Sequence, residues 1–384
     1  MNGVVTLSTA AHGGFFRAGA DLSMMKAANR RTALSFLLAV VLLGGYLWLL
    51  GPQAVAAQLG ETRLSVFAVG LVSVLVSLVA WSETQRQLLR ASGARLSVWR
   101  GFTVYNVGMF AKQILPMGHA AGPVFPAYAV GFAVDRPFGE NLAPVSIAEL
   151  QLLVASFVLT AVGLGYLLLV VPAVGLLATV QLTLGIVGAA LLTLVLVVWY
   201  RRRTVETSLL GLAWCLRVTV GRVSERARNR LSVESVRGGM RRYYATLEMV
   251  TADRRRSLLA FGYGVLGWVA FSIPLVTSAA ALGADLPLGT AFVLAPAAGI
   301  AGLVPLPGGI GSTEIALTAL LVGIAGFSVP LAGSITLLYR VCTYWFVVAF
   351  TGVFAVYQSA LPGQMRAAVV EGQAGEAHDG LRPQ

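Results

Sequence analysis

The densest group of chemically informative residues is the run Pro-Leu-Pro-Gly-Gly-Ile-Gly-Ser-Thr-Glu at positions 305–314. Its prolines end one helix, and its glycines allow a turn with exposed backbone amides. Ser312 can cap a second helix whose first turn contains Glu314. Amides at a helix N-terminus can bind a phosphate. The run therefore predicts an anion site, and the alternative is a structural helix break in which Glu314 only caps. The candidate residues are Gly308, Gly309, Gly311, Ser312 and Glu314.

A few further polar residues lie within apolar segments, where an unpartnered ionisable group is costly. Lys112, His119, Glu149 and Arg340 are the candidates, and Tyr344 follows Arg340 by about one turn. The natural ion pairs are Lys112 with Glu149 and Arg340 with Glu314. We expect these residues to bind a ligand headgroup, with Tyr344 flanking the headgroup or an acyl chain.

Each of these residues also has a structural alternative. Lys112 could snorkel towards water or cap carbonyl groups at a helix end. His119 could be a loop histidine whose partners are backbone groups. Arg340 could pair with Glu314 or with a lipid phosphate. We expect the phosphate, because the amides around Ser312 would converge on the same anion.

The amino-acid composition indicates which kind of secondary structure positions these residues. Of 384 residues, 57% are hydrophobic and 11% are charged, whereas soluble domains carry roughly 25% charged residues. The chain is therefore predicted to be an all-α polytopic membrane protein. No nucleotide-binding, zinc-binding or nucleophile motif is present, so we expect neither an enzyme nor a cofactor. The net charge of +12 indicates topology and anionic lipid rather than nucleic acid.

Apolar runs of about 20 residues are long enough to cross the hydrocarbon core of a membrane. About six full transmembrane helices are predicted, at Thr32–Leu50, Leu64–Trp81, Leu142–Leu169, Val174–Trp199, Leu258–Leu282 and Leu331–Tyr357. Two further apolar stretches, Gly101–Val134 and Thr290–Gly326, are interrupted by Pro and Gly.

The arginine distribution predicts the orientation of the spans. Residues 200–257 hold 14 Arg against 5 acidic residues, which places this segment in the cytoplasm as a basic amphipathic element on the inner leaflet. Both termini are then cytoplasmic, with an N-terminal segment at 1–29 and a disordered tail at 359–384. The transmembrane domain spans 30–358.

The two interrupted stretches are predicted to be re-entrant hairpins of broken helices. Gly101–Leu115, Thr290–Val304 and Ser312–Gly326 are 15 residues each, or about 22 Å, which is too short to cross. Pro116 precedes Gly122 by six residues, and Pro305 precedes Gly311 by six. The hairpins would enter from opposite sides, which suggests an inverted repeat like those of transporters.

The run 305–314, followed by Leu338-Tyr339-Arg340 and Tyr344-Trp345, resembles the lysylphosphatidylglycerol synthase transmembrane region, also called the flippase-like or UPF0104 family. The first hairpin is similar to the family's upstream Pro-x-Gly-x-x-Gly-Gly motif. Where the family often has Glu-Pro and then Arg, this chain has Pro123-Val124, which leaves Lys112 or His119 to supply the headgroup contact. The soluble aminoacyltransferase domain is missing, so lysine transfer is not implied.

The resemblance implies a translocase that moves a phospholipid or lipid-linked sugar between leaflets of the plasma membrane without ATP hydrolysis. The expected partners are membrane lipids with anionic headgroups. The alternative is a non-transporting membrane subunit or scaffold of a lipid- or glycan-modifying enzyme. A membrane-embedded transferase is a third reading, and it would need Glu149, Glu314 or His119 as its acid or base.

Overall fold

A computed structural model describes residues 37–38, 40–115, 118, 122–134, 136–170, 233–302, 304 and 306–360. These residues form helices joined by turns, and none of them lies in a strand. The helices are α1 Val40–Leu50, α2 Pro52–Gly60, α3 Leu64–Ala91, α4 Val98–Ile114, α5 Val124–Val130, α6 Phe138–Val170, α7 Val233–Ala252, α8 Arg254–Ala281, α9 Leu288–Ala301, α10 Ser312–Ala325, α11 Val329–Arg340 and α12 Phe346–Ala360. The all-α polytopic prediction is confirmed.

Among the described residues, five helices are long and apolar enough to cross a membrane. Four of them coincide with predicted spans: α3, α6, α8 and the continuous helix Val329–Gln358. The fifth, Pro307–Ala325, consists of a 3₁₀ turn followed by α10. Of the other predicted spans, Thr32–Leu50 is described only over its C-terminal part, and Val174–Trp199 lies outside the described residues.

The helix Val329–Gln358 contains one turn of π-helix, at Val341–Trp345. This wider turn directly follows Arg340 and includes Tyr344. The Arg340 guanidinium carbon lies 4.6 Å from the centre of the Tyr344 ring. Such π turns are frequent at functional sites.

Helices α3 and α8 pack closely at the centre of the fold because glycines line their contact. A side chain at Gly267 of α8 would overlap the Trp81 indole, and one at Gly70 of α3 would overlap Thr277. The Trp81 ring contacts Trp268 and Phe271 at centroid distances of 5.4 and 5.0 Å. This packing places three aromatic rings of two helices side by side.

Three arms of the broken hairpins are close to the predicted 15 residues, although a 3₁₀ turn extends the α10 arm to the 19-residue helix Pro307–Ala325. Helix α4 has 17 residues and ends at Ile114, and a turn separates it from α5. Helices α9 and α10 have 14 residues each, or about 21 Å, against a hydrocarbon core of about 30 Å. Helix α4 packs against both α5 and the 3₁₀ turn Pro307–Gly309, so the first hairpin meets the tip of the second. Their entry from opposite sides stays a prediction.

Two connecting segments contain helices. The segment 51–63, between α1 and α3, contains helix α2, with Pro52 at its first position. The basic segment 200–257 is described only from residue 233, where α7 packs against α6 and α3. The rest of that segment, and the segments 1–29 and 361–384, lie outside the described residues.

Candidate functional site

Glycine conformations shape the tip of the second hairpin. Gly308, Gly309 and Gly311 have φ of 54°, 62° and 88°, a region that side-chain-bearing residues rarely adopt. A side chain at Gly308 would overlap the Tyr344 ring, and one at Gly309 would overlap the backbone of Gly302. The glycines thus let the tip fold tightly against the π turn and the end of α9.

Glu314 accepts a hydrogen bond from a backbone amide at the start of α10, where a ligand phosphate was expected. Its Oε2 accepts a hydrogen bond from the Gly311 backbone N–H at 2.7 Å, and its Oε1 accepts one from Arg340 Nε at 2.8 Å. The residue is only 2% exposed. The protein's own carboxylate therefore occupies the Gly311 amide at this helix N-terminus, and a phosphate at the neighbouring amides stays a prediction.

Ser312 does not cap α10 as expected. The N-cap residue is Gly311, one position earlier, and it has no side chain with which to cap. The Ser312 hydroxyl instead donates to the backbone oxygens of Ala301, at 2.8 Å, and of Gly309, at 3.0 Å. Since Ala301 is the last residue of α9, Ser312 ties the two arms of the hairpin together.

Arg340 completes this cluster and pairs with Glu314, which was the alternative to a lipid phosphate; the contact with a phosphate stays a prediction. Besides Glu314, the guanidinium binds the Gly308 carbonyl oxygen through Nη2 at 2.9 Å and lies over the Tyr344 ring. The Arg340 and Glu314 side chains are 8% and 3% exposed. The pair also hydrogen-bonds two backbone groups of the hairpin tip, at Gly308 and Gly311. These bonds and the nearly complete burial of both side chains are typical of an ion pair with a structural role.

The second predicted pair, Lys112 with Glu149, is also confirmed. Lys112 Nζ donates to both carboxylate oxygens of Glu149, at 2.8 and 2.9 Å, and so joins α4 to α6. The side chains are 12% and 26% exposed, which is more than in the Arg340 pair. An ammonium group has three N–H donors, so one N–H of Lys112 remains beyond the two bonds to Glu149.

Lys112, Glu149 and Arg340 border one cavity of about 300 Å³ formed mainly by α4, α6, α8, α9 and α11. Lys112, Glu149, Gly308 and Arg340 line it, together with the aromatic side chains Trp81, Tyr105, Trp268 and Phe271. Gly309, Gly311, Ser312, Glu314 and Tyr344 do not line it. His119 lies outside the described residues. The predicted site therefore divides into a cavity and a hairpin tip that supports it.

Sequence reasoning missed several cavity residues. On α4, Tyr105, Met109, Lys112 and Gln113 all line the cavity, at positions that share one face of a helix. The α6 face that carries Glu149 also carries Ser156 and Thr160, whose hydroxyls bind carbonyl groups of their own helix. Their helical spacing from Lys112 and Glu149 places them on the same helix faces, and this spacing could have identified them from the sequence.

Similarity to known proteins extends over the helices that form the cavity and the hairpin tip. The profile of the "Lysylphosphatidylglycerol synthase TM region" matches residues 34–350, which contain both hairpins and the whole cavity. A relative described as a "UPF0104 membrane protein", from Methanothermobacter thermautotrophicus, is 26% identical over 332 residues. That alignment covers 84% of this chain and 91% of the relative. The chain is thus a multi-pass membrane protein that belongs to the family of the lysylphosphatidylglycerol synthase transmembrane region.

Proposed function

We propose that the protein is a lipid translocase that moves a phospholipid or a lipid-linked sugar between the two leaflets of the plasma membrane. The observation that supports this function best is a cavity at membrane-helix level lined by the partly exposed Lys112–Glu149 pair. A polar headgroup cannot enter hydrocarbon without losing its hydrogen bonds to water. A cavity with charged and polar side chains replaces those bonds while the acyl chains stay in the lipid.

In this proposal, Lys112 receives the headgroup. The N–H of Lys112 that does not bind Glu149 meets a phosphate oxygen, and the carboxylate holds the ammonium group in position. Arg340 lines the same cavity but is held by Glu314 and Gly308, so it contributes positive potential from the wall. No step uses ATP, and the membrane potential or a lipid gradient sets the direction of movement.

Orientation forms part of the same proposal. Both termini face the cytoplasm, with the arginine-rich segment 200–257 on the inner side. The two hairpins enter from opposite sides, so that their tips meet beside the cavity. Labelling of cysteines introduced at Gln53, Asp285 and Ser328 is expected only from outside the cell. Labelling of Ser328→Cys from the cytoplasm alone would contradict the second hairpin.

Translocation is tested with the purified protein in liposomes that contain a phospholipid with a fluorescent tail. A membrane-impermeant reductant quenches only the outer leaflet in protein-free liposomes. With the protein present, quenching is expected to proceed to the inner-leaflet lipid as well. Quenching that stops at the outer-leaflet share, in liposomes shown to contain folded protein, would contradict the proposal and favour the scaffold alternative.

A further inference from the structure

The cavity contains polar side chains that have no hydrogen-bond partner among the described residues. Gln113 of α4 is 5% exposed and lines the cavity, and its carboxamide makes no hydrogen bond within the described part of the chain. Tyr105, two turns earlier on the same face, is 7% exposed, and its hydroxyl is also unpartnered there. Buried polar groups are nearly always satisfied, so such groups facing a cavity indicate that a ligand or water completes them.

The charges of the cavity, in contrast, are already matched. Lys112 is neutralised by Glu149 and Arg340 by Glu314. Selectivity among headgroups is therefore expected to depend on the neutral groups as well as on the contact with Lys112. A carboxamide offers both donors and an acceptor, and a phenol offers one donor and two lone pairs. A hydroxyl group, which donates and accepts, is the ligand group that satisfies both side chains.

Three aromatic rings, inclined to one another, form an apolar part of the remaining wall. The rings of Trp81, Trp268 and Phe271 contact one another along it, with a Trp268–Phe271 centroid distance of 5.8 Å. Trp268 donates its indole N–H to the Leu152 carbonyl oxygen at 2.8 Å, so that group is not available to a ligand. The cavity volume of about 300 Å³ is at the lower end for small-molecule sites, which suits a single small headgroup.

We propose that Gln113 and Tyr105 form a specificity site for a hydroxyl-bearing lipid headgroup, such as a glycerol or a single sugar unit, packed against the aromatic wall. This inference rests on the proposed function for the lipid nature of the ligand. The hydroxyls of the headgroup exchange hydrogen bonds with the carboxamide and the phenol. Choline, whose methylated ammonium neither donates nor accepts, leaves both groups unsatisfied and is disfavoured.

The test is competition between lipids of identical acyl chains for the purified protein, measured by native mass spectrometry. Phosphatidylglycerol, monoglucosyl diacylglycerol and phosphatidylcholine are supplied in equal amounts. We expect the bound amount of each hydroxyl-bearing lipid to be about tenfold higher than that of phosphatidylcholine, because each forms two more neutral hydrogen bonds. Preference for only one of the two identifies the source of the hydroxyls, and either source supports the proposal. Equal binding of all three lipids, or a preference for phosphatidylcholine, overturns it.

The variants are Gln113→Met and Tyr105→Phe, which preserve side-chain size and remove the polar groups. The double variant is expected to bind all three lipids about equally. Asn106→Leu is the matched control, because Asn106 is a fully buried amide on the same helix that does not line the cavity. It is expected to retain the wild-type preference. A double variant that is folded and keeps that preference overturns the proposal.

The liposome assay separates this proposal from the function on which it rests. A wild-type protein that binds hydroxyl-bearing lipids selectively but moves none of them contradicts translocation and supports the specificity site. A protein that moves phosphatidylcholine as fast as the other two lipids supports translocation and overturns the specificity site. Glucose alone is expected not to displace bound lipid, and its displacement of lipid would overturn the assignment of a lipid headgroup.

Discussion

The ion pair that lines the cavity and the ion pair at the hairpin tip differ in how completely the protein encloses them. Arg340 and Glu314 are 8% and 3% exposed, and between them they bind the backbone at Gly308 and Gly311. Lys112 and Glu149 are 12% and 26% exposed, and they hydrogen-bond each other within the described chain. The same chemistry thus serves two purposes. The enclosed pair fixes the shape of the hairpin tip, and the open pair remains accessible to a ligand.

The largest effect is expected from breaking the enclosed pair. Glu314→Leu leaves the Arg340 guanidinium buried without its partner and removes the acceptor for the Gly311 N–H. We expect a loss of about 3–5 kcal/mol in the free energy of unfolding. Glu314→Gln keeps one of the two acceptor oxygens but places an NH2 group against the second donor, so a smaller loss of about 1.5–3 kcal/mol is expected. Thermal unfolding in detergent measures both, and a Leu variant as stable as the wild type would contradict a structural role.

An intermediate effect is expected from the glycine under Tyr344. Gly308→Ala introduces a methyl group into the Tyr344 ring at a backbone φ of 54°, and should destabilise the fold by about 1–3 kcal/mol. Gly122→Ala is the matched control, because Gly122 has the same φ and open space around it. The difference between the two unfolding temperatures isolates the contact with Tyr344. Equal losses would show that backbone strain alone is responsible.

The smallest effect on stability is expected at the open pair. Lys112→Met together with Glu149→Gln removes both charges without stranding either one. Replacing both members of an ion pair is often nearly neutral, so the free energy of unfolding should change by less than about 1 kcal/mol. Thermal unfolding checks this as well. A loss as large as that of Glu314→Leu would show that the open pair, too, is mainly structural.

The sequence predicts those parts of the structure that depend on the free energy of burying apolar or charged side chains in a membrane. The apolar runs predict the long spans and the short helices of the hairpins. The free-energy cost of an unpaired charge in a membrane predicts partners for Lys112 and Arg340, among which the structure shows Glu149 and Glu314. The role of Ser312 was wrong because it depends on Gly311, whose φ of 88° moves the start of α10 by one residue. Gln113 was not assigned to the site because an uncharged amide gives no comparable signal until the cavity beside it is seen.

The most direct test compares transport by two double variants that each remove an ion pair. Lys112→Met with Glu149→Gln removes the pair in the cavity, and Arg86→Met with Glu83→Gln removes a buried pair of α3 that does not line it. In the liposome assay, normalised to folded protein, we predict a fall of about tenfold or more for the first variant, which corresponds to at least one lost ionic contact with the headgroup. The second variant should transport at the wild-type rate. Wild-type transport by the first variant would contradict the assignment of the Lys112–Glu149 cavity as the headgroup site.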